Sequence, residues 1–244
     1  MRAVLSDLAI ESESAMALWM RLAAALDRCA STTDSTDSTT DTAAAVEQHE
    51  AAFVRLGTAV AKYWVCKRAP TVAYEAMEVF GGNGYVEEGP MAALYRQAPL
   101  NGIWEGSGNV ICLDVLRAIG KEPASAAAFF LELEKSFATA EEIGCNTYVA
   151  TVRGLQEELR TLSREQLEFS ARHLVDRLAI CLAGSVLMQD GDAVVAKCFV
   201  RTRLASSGAS STHVPIHNLG AMTGSVLEHE KEDVDYLIER LTVN

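Results

Sequence analysis

Residues 104–120 read WEGSGNVICLDVLRAIG, and this stretch decides the fold. It opens on a turn, Trp104-Glu105-Gly106-Ser107-Gly108-Asn109, and runs straight into an apolar helix. Ile111, Val115, Ala118 and Ile119 fall on one face of that helix, and Gly120 with Pro123 is expected to end it. The same helical spacing recurs nearly throughout the 244 residues, with only 5 Pro and 16 Gly. The chain is therefore expected to be all-α.

Outward from this stretch, helices are expected over about 2–29, 43–68 and, from Pro70, through Val79. Gly81, Gly82 and Gly84 then force a turn beside Tyr85, and MAALYRQA forms a short segment after Pro90. A second helical set is expected over about 124–140, 146–161, 164–189, 191–206 and 230–241. Residues 31–42, STTDSTDSTTDT, hold no apolar side chain and are expected to be a disordered surface loop. SSGASSTHVPIHNLG, residues 206–220, also reads as a loop. The helical stripe of Val4, Leu8, Ala15, Leu18, Trp19, Leu22 and Leu26 begins almost at once with no cap before it, as in a chain cut inside a longer protein.

Net charge is −12 and is shared equally: 9 basic against 15 acidic residues in 1–120, and 12 against 18 in 121–244. That argues against a broad nucleic-acid or anionic-membrane footprint. No apolar run approaches the ~18 residues of a membrane span. Asp7, Glu11 and Glu13 exclude an ordinary secretory signal. The six cysteines, at 29, 66, 112, 145, 181 and 198, form no Cys-x-x-Cys and read as apolar thiols of a reducing, intracellular compartment.

Most chemical motifs fail. Gly82-x-Gly84-x-x-Glu87 and Gly106-x-Gly108-x-x-Ile111 lack the third glycine of a dinucleotide loop. Ser107 is no nucleophile elbow, because position 105 is Glu. His213 and His217 are separated by Pro215, which breaks a helical metal pair. Glu105 remains. A carboxylate in an apolar wall acts as a base near neutral pH, while a glutamate at a helix start also suits the macrodipole without any chemistry.

Residues 74–119, YEAMEVFGGNGYVEEGPMAALYRQAPLNGIWEGSGNVICLDVLRAI, resemble the C-terminal domain of the acyl-CoA dehydrogenases. The likeness is to the AidB-like branch, the alkylation-response flavoproteins. Gly81-Gly82-Asn83-Gly84-Tyr85 and Trp104-Glu105-Gly106-Ser107 match that family's two linked motifs, although Trp104 stands where Tyr is usual. The resemblance implies a helical bundle over 1–120 and an appended helical domain over 121–244. It implies that Glu105 is the base that takes the α-proton of an acyl-CoA while a hydride passes to FAD. It implies FAD contacts from Ile103, Trp104, Gly106, Ser107, Gly108 and Asn109, and from Gly81, Gly82 and Gly84, often toward a neighbouring subunit. A homo-oligomer, dimer or tetramer, and a mitochondrial or cytoplasmic setting follow from the same likeness, as does inactivity of this portion alone. Nucleic acid is the competing partner: Arg117 matches a basic position where the appended domain begins, and Arg153, Arg160, Arg164, Arg172, Arg177, Lys197, Arg201 and Arg203 are its candidate face.

Overall fold

The computed structural model describes residues 1–30, 41–204 and 231–241, and every regular element among them is helical. In chain order these are α1 (Arg2–Ala30), α2 (Asp41–Val79), α3 (Gly82–Tyr85), α4 (Pro90–Gln97), a 3₁₀ turn (Ala98–Gly102), α5 (Gly108–Lys121), α6 (Pro123–Glu134), α7 (Phe137–Glu142), α8 (Asn146–Thr161), α9 (Arg164–Phe169), α10 (Ala171–Asp190), α11 (Ala193–Leu204) and α12 (Lys231–Leu241). Most of the expected loop at 31–42, the loop at 206–220, and His213 and His217 lie outside the described residues.

Apolar periodicity explains the packing. α1 buries Ile10, Leu18 and Ala25 against Phe53, Leu56 and Val60 of α2, and α5 adds Ile111, Val115 and Ala118. α10 is different, because every residue from Leu174 to Met188 is buried. A helix apolar on all sides must be surrounded. α10 packs on α1, α2 and α5 and equally on α8 and α11, so one core joins the two helical sets.

Four expectations shift. α2 runs unbroken through Pro70, which was expected to start a new helix. An interior proline costs about 3 kcal/mol; here it is outweighed by the packing of α2 against α1, α5, α6 and the 3₁₀ turn. α5 passes through Gly120 and stops only at Glu122, where Pro123 starts α6. The expected helix 124–140 breaks at Ser136, whose hydroxyl donates to the Ser185 carbonyl (3.0 Å) on α10. The expected helix 164–189 breaks at Ser170, whose hydroxyl donates back to the Gln166 carbonyl (2.8 Å).

Two buried charge clusters tie distant segments together. Glu11 on α1 accepts from Arg203 of α11 (Nη2–Oε1 2.7 Å) and from Arg68 of α2 (Nη2–Oε1 2.6 Å). Asp7 lies 2.8 Å from the same Arg203 nitrogen, at an angle that makes no hydrogen bond to its Oδ1. Burial pushes both carboxyls up. For Glu11 the two guanidiniums prevail and hold it below the usual range, whereas Asp7 is pushed up to about 6. In the second cluster Arg21 of α1 donates to Glu50 of α2 (2.8 Å) and to Glu132 of α6 (2.6 Å), and its guanidinium stacks 4.3 Å over Phe53.

A third polar group sits between α2, α5 and α10. The Tyr63 hydroxyl lies beside the Cys112 thiol and the Asp176 carboxyl, yet neither that hydroxyl nor Asp176 Oδ1 makes a well-formed hydrogen bond. Burial pushes Asp176 up to about 7, against the pull of Arg172, Arg68 and Lys67.

Arg203→Met strips Asp7 of its cation and leaves Glu11 with Arg68; loss of about 3 kcal/mol is expected, read from urea unfolding, and an unchanged midpoint would refute this role. For Asp176 the folded value lies above the unfolded one, so the fold holds a proton there that the unfolded chain has lost. Stability contributed by Asp176 is therefore complete below about pH 4 and declines as pH rises to about 7. Asp176→Asn is expected to flatten that decline, gaining about 2–4 kcal/mol over the parent at pH 8 relative to pH 4, measured by unfolding at both pH values.

Candidate functional site

The turn between the 3₁₀ segment and α5 has an unusual backbone. Glu105 adopts φ +55°, and among the described residues no other non-glycine has a positive φ. Gly106 follows at φ +102°. A left-handed residue with a Cβ costs roughly 1–2 kcal/mol, so something must hold it. Lys62 of α2 lies against it: its Nζ donates to the Trp104 carbonyl (2.9 Å) and to the Gly106 carbonyl (2.7 Å), on either side of Glu105.

Gly108 completes the seat. A Cβ there would stand 2.4 Å from Lys67 Cε and 3.3 Å from the Tyr63 ring. A side chain there would push the Lys67 chain aside and press on the Tyr63 ring, so glycine lets α5 start close to α2 with both in place. Ser107 is the N-cap of α5, but its side chain makes no cap hydrogen bond. The Ile111 N–H donates to the Ser107 carbonyl (3.0 Å), the first turn of the helix. The earlier N–H groups of the helix are thus available to a ligand.

α2 and α5 flank a groove of about 570 Å³. Thr58, Ala59, Val110 and Ile111 line it, with Lys62, Glu105 and Gly106 at one end. Arg55, Asp114 and Arg117 are at the other, joined by Arg55–Asp114 (3.2 Å) and Arg117–Asp114 (3.4 Å) ion pairs. Glu105 is exposed at the groove's end rather than sunk in an apolar wall. Beside it Ile103 and Trp104 are 64% and 56% exposed, apolar surface left open among the described residues. Asn109 is exposed at the helix start.

The structure does not bring the two glycine motifs into one groove. The turn at 81–84 borders a separate groove of about 520 Å³ lined by Met77, Tyr85, Val86, Tyr95 and the Glu87–Arg96 pair. Its glycines differ in purpose. Gly81 needs glycine for its φ of +57°, while at Gly84 a Cβ would lie 2.1 Å from the Met77 carbonyl. At Gly82 a Cβ would meet nothing within 4 Å.

Arg55 and Lys62 belong to this site and were not expected there. Arg55, Thr58, Ala59 and Lys62 share one face of α2 by spacing, but nothing in the sequence ties that face to residue 105. Among the candidate nucleic-acid residues, Arg177 and Arg203 are buried. Arg160, Arg164, Arg177 and Lys197 pair with Glu157, Glu168, Glu158 and Asp233, respectively. Arg153 stacks on Phe137. Among the described residues no helix is long and apolar enough to cross a membrane, and the six cysteines form no disulfide with one another.

Comparison with known proteins gives the following. Residues 1–120 match the family model of the acyl-CoA dehydrogenase C-terminal domain. A putative acyl-CoA dehydrogenase, AidB of Escherichia coli, is 35% identical over 219 residues, 89% of this chain and 36% of that protein. Acyl-CoA dehydrogenase family member 11 of Caenorhabditis elegans is 46% identical over 74 residues, 30% of this chain and 12% of that one. The crystal structure of C. elegans ACDH-11 in complex with C11-CoA superposes with a TM-score of 0.61 over 90% of this chain and 34% of that one, at 23% identity, a likeness of fold. The chain thus spans about a third of the length of AidB and of ACDH-11.

Gly82 and Gly84 differ in the room they leave for a methyl group. Gly84→Ala is expected to cost about 1–3 kcal/mol by forcing the turn off α2, and Gly82→Ala to leave thermal unfolding of this chain within about 0.5 kcal/mol; equal melting shifts would contradict the assignment.

Proposed function

The chain belongs to the acyl-CoA dehydrogenase family, through the C-terminal domain that its residues 1–120 match, and from that premise we propose that it supplies one wall of a site that oxidises acyl-CoA thioesters. The observation that carries this reading is the placement of Glu105. Its carboxylate stands at the end of a groove, beside exposed Trp104 and Ile103 and at the start of a helix with open N–H groups. A base that takes a proton from carbon needs a fixed carboxylate facing a surface on which the substrate can lie.

In this reading Glu105 takes the α-proton onto its carboxylate oxygen. Bound FAD supplies the acceptor for the hydride that leaves the β-carbon. The chain's own residues fit that cofactor: Ser107 has a hydroxyl not spent on a cap, and Gly108 and Asn109 open the helix start where an electronegative edge is favoured. Ile103 and Trp104 offer an apolar face to a flat ring, and Gly106 lets the backbone approach it. Gly81, Gly82 and Gly84 lie at a second groove, which suits a contact with a more distant part of the cofactor or with a neighbouring subunit. Residues 121–244 are assigned to an appended helical domain. The exposed stripe of Met16, Trp19, Met20 and Leu26 on α1 suits a contact between copies in a homo-oligomer. No arrangement of the arginines favours duplex DNA over this reading.

The test uses two proteins: the chain by itself, and a chimera in which it replaces the corresponding third of E. coli AidB. The chain by itself is expected to leave added FAD unbleached by acyl-CoA. The chimera is expected to exchange the acyl-CoA α-proton with D₂O, and Glu105→Gln to slow that exchange at least ~100-fold. Exchange at the parent rate in the Gln variant would remove Glu105 from the chemistry.

A further inference from the structure

We propose that Lys62 is the positioning residue for Glu105: its ammonium bridges the two carbonyls flanking residue 105 and holds that residue in the left-handed conformation that presents its carboxylate to the groove. The proposal rests on the reading of Glu105 given above, but its geometry is independent of it.

Three observations combine. Glu105 has φ +55°, a conformation that glycine adopts freely and that a glutamate resists. Lys62 Nζ sits 2.9 Å from the Trp104 carbonyl and 2.7 Å from the Gly106 carbonyl, so a single charged donor grips both sides of the strained residue. Lys62 and Glu105 then line the same end of one groove. A glycine at 105 would make the same turn without strain but would carry no carboxylate. Strain kept at a chemistry-bearing position needs a restraint that over-determines it, and a lysine held by carbonyls is that restraint. Lys62 comes from α2, the longest helix, and is followed by Tyr63, whose ring lies under Gly108. The clamp is therefore mounted on the same rigid element that seats the start of α5.

The test uses the whole 244-residue chain, isotopically labelled, with Lys62→Met, Lys62→Arg, Glu105→Gly and the double variant Lys62→Met/Glu105→Gly. Lys62→Met is expected to move the amide resonances of Trp104, Glu105 and Gly106 and to change the Glu105 backbone coupling away from its positive-φ value, while the control Lys121→Met leaves all three in place. Lys62→Arg keeps a donor at both carbonyls and is expected to preserve the resonances. Glu105→Gly is expected to raise the melting temperature by about 2–4 °C when Lys62 is present, and to give no gain after Lys62→Met, because the turn has already relaxed. Unchanged resonances in Lys62→Met, or an equal gain from Glu105→Gly in both backgrounds, would overturn the proposal. Either result is separate from the proton-exchange test: loss of the clamp leaves the base assignment standing, and a Glu105→Gln variant that exchanges normally leaves the clamp standing. Should Lys62→Met fail to fold, the Lys62→Arg spectrum together with the Glu105→Gly gain still decides, since a clamp requires both the preserved resonances and the gain.

Discussion

Glu11 sits between two guanidiniums in the interior, and the arrangement of the long helices depends on that junction. One carboxylate on α1 receives Arg68 from α2 and Arg203 from α11, residues 57 and 192 positions away in sequence. Desolvating three charges is costly, and a buried pair does not by itself stabilise a fold more than a well-packed apolar contact. What it supplies is exclusivity: any slip of α1 along α2 leaves an uncompensated charge inside. The Arg21 cluster repeats the device further along α1, tying α2 and α6. Together they set the register of the surface on which the Glu105 turn is mounted.

Much of this was legible from the residues. The helical periods of α1, α5, α8 and α12 placed those elements within a residue or two, and the expected start at about 164 agrees with α9, where Ser163 and Gln166 form a capping box. The turn at 104–109 announced itself by its glycines and its carboxylate. Pro70 misled, because local propensity cannot weigh the neighbours that α2 packs against. The breaks at Ser136 and Ser170 were hidden for a related reason. Serine is unremarkable in a helix until its hydroxyl finds a carbonyl to bind, and for Ser136 that carbonyl is on another helix.

The site was legible only in part. Sequence pattern isolated Glu105 and its glycines, but Lys62 lies more than forty positions away and carries no motif. Its partners are backbone carbonyls, which leave no trace in residue identity. The conformation at 105 is equally silent, since glutamate is an unexpected occupant of left-handed backbone. Asp176 was missed because a buried carboxyl inside an apolar run looks, in one dimension, like a polar interruption on a solvent face.

The burial of α10 on every side bears on how such a unit can be handled. Its apolar circumference leans on α1, α2 and α5 as much as on its own neighbours in sequence. Anyone grafting the first 120 residues onto another protein would lift out a lid without its hinge pin: the transplanted bundle would bare a strip of aliphatic surface, and sticky aggregates rather than a working module would be the product.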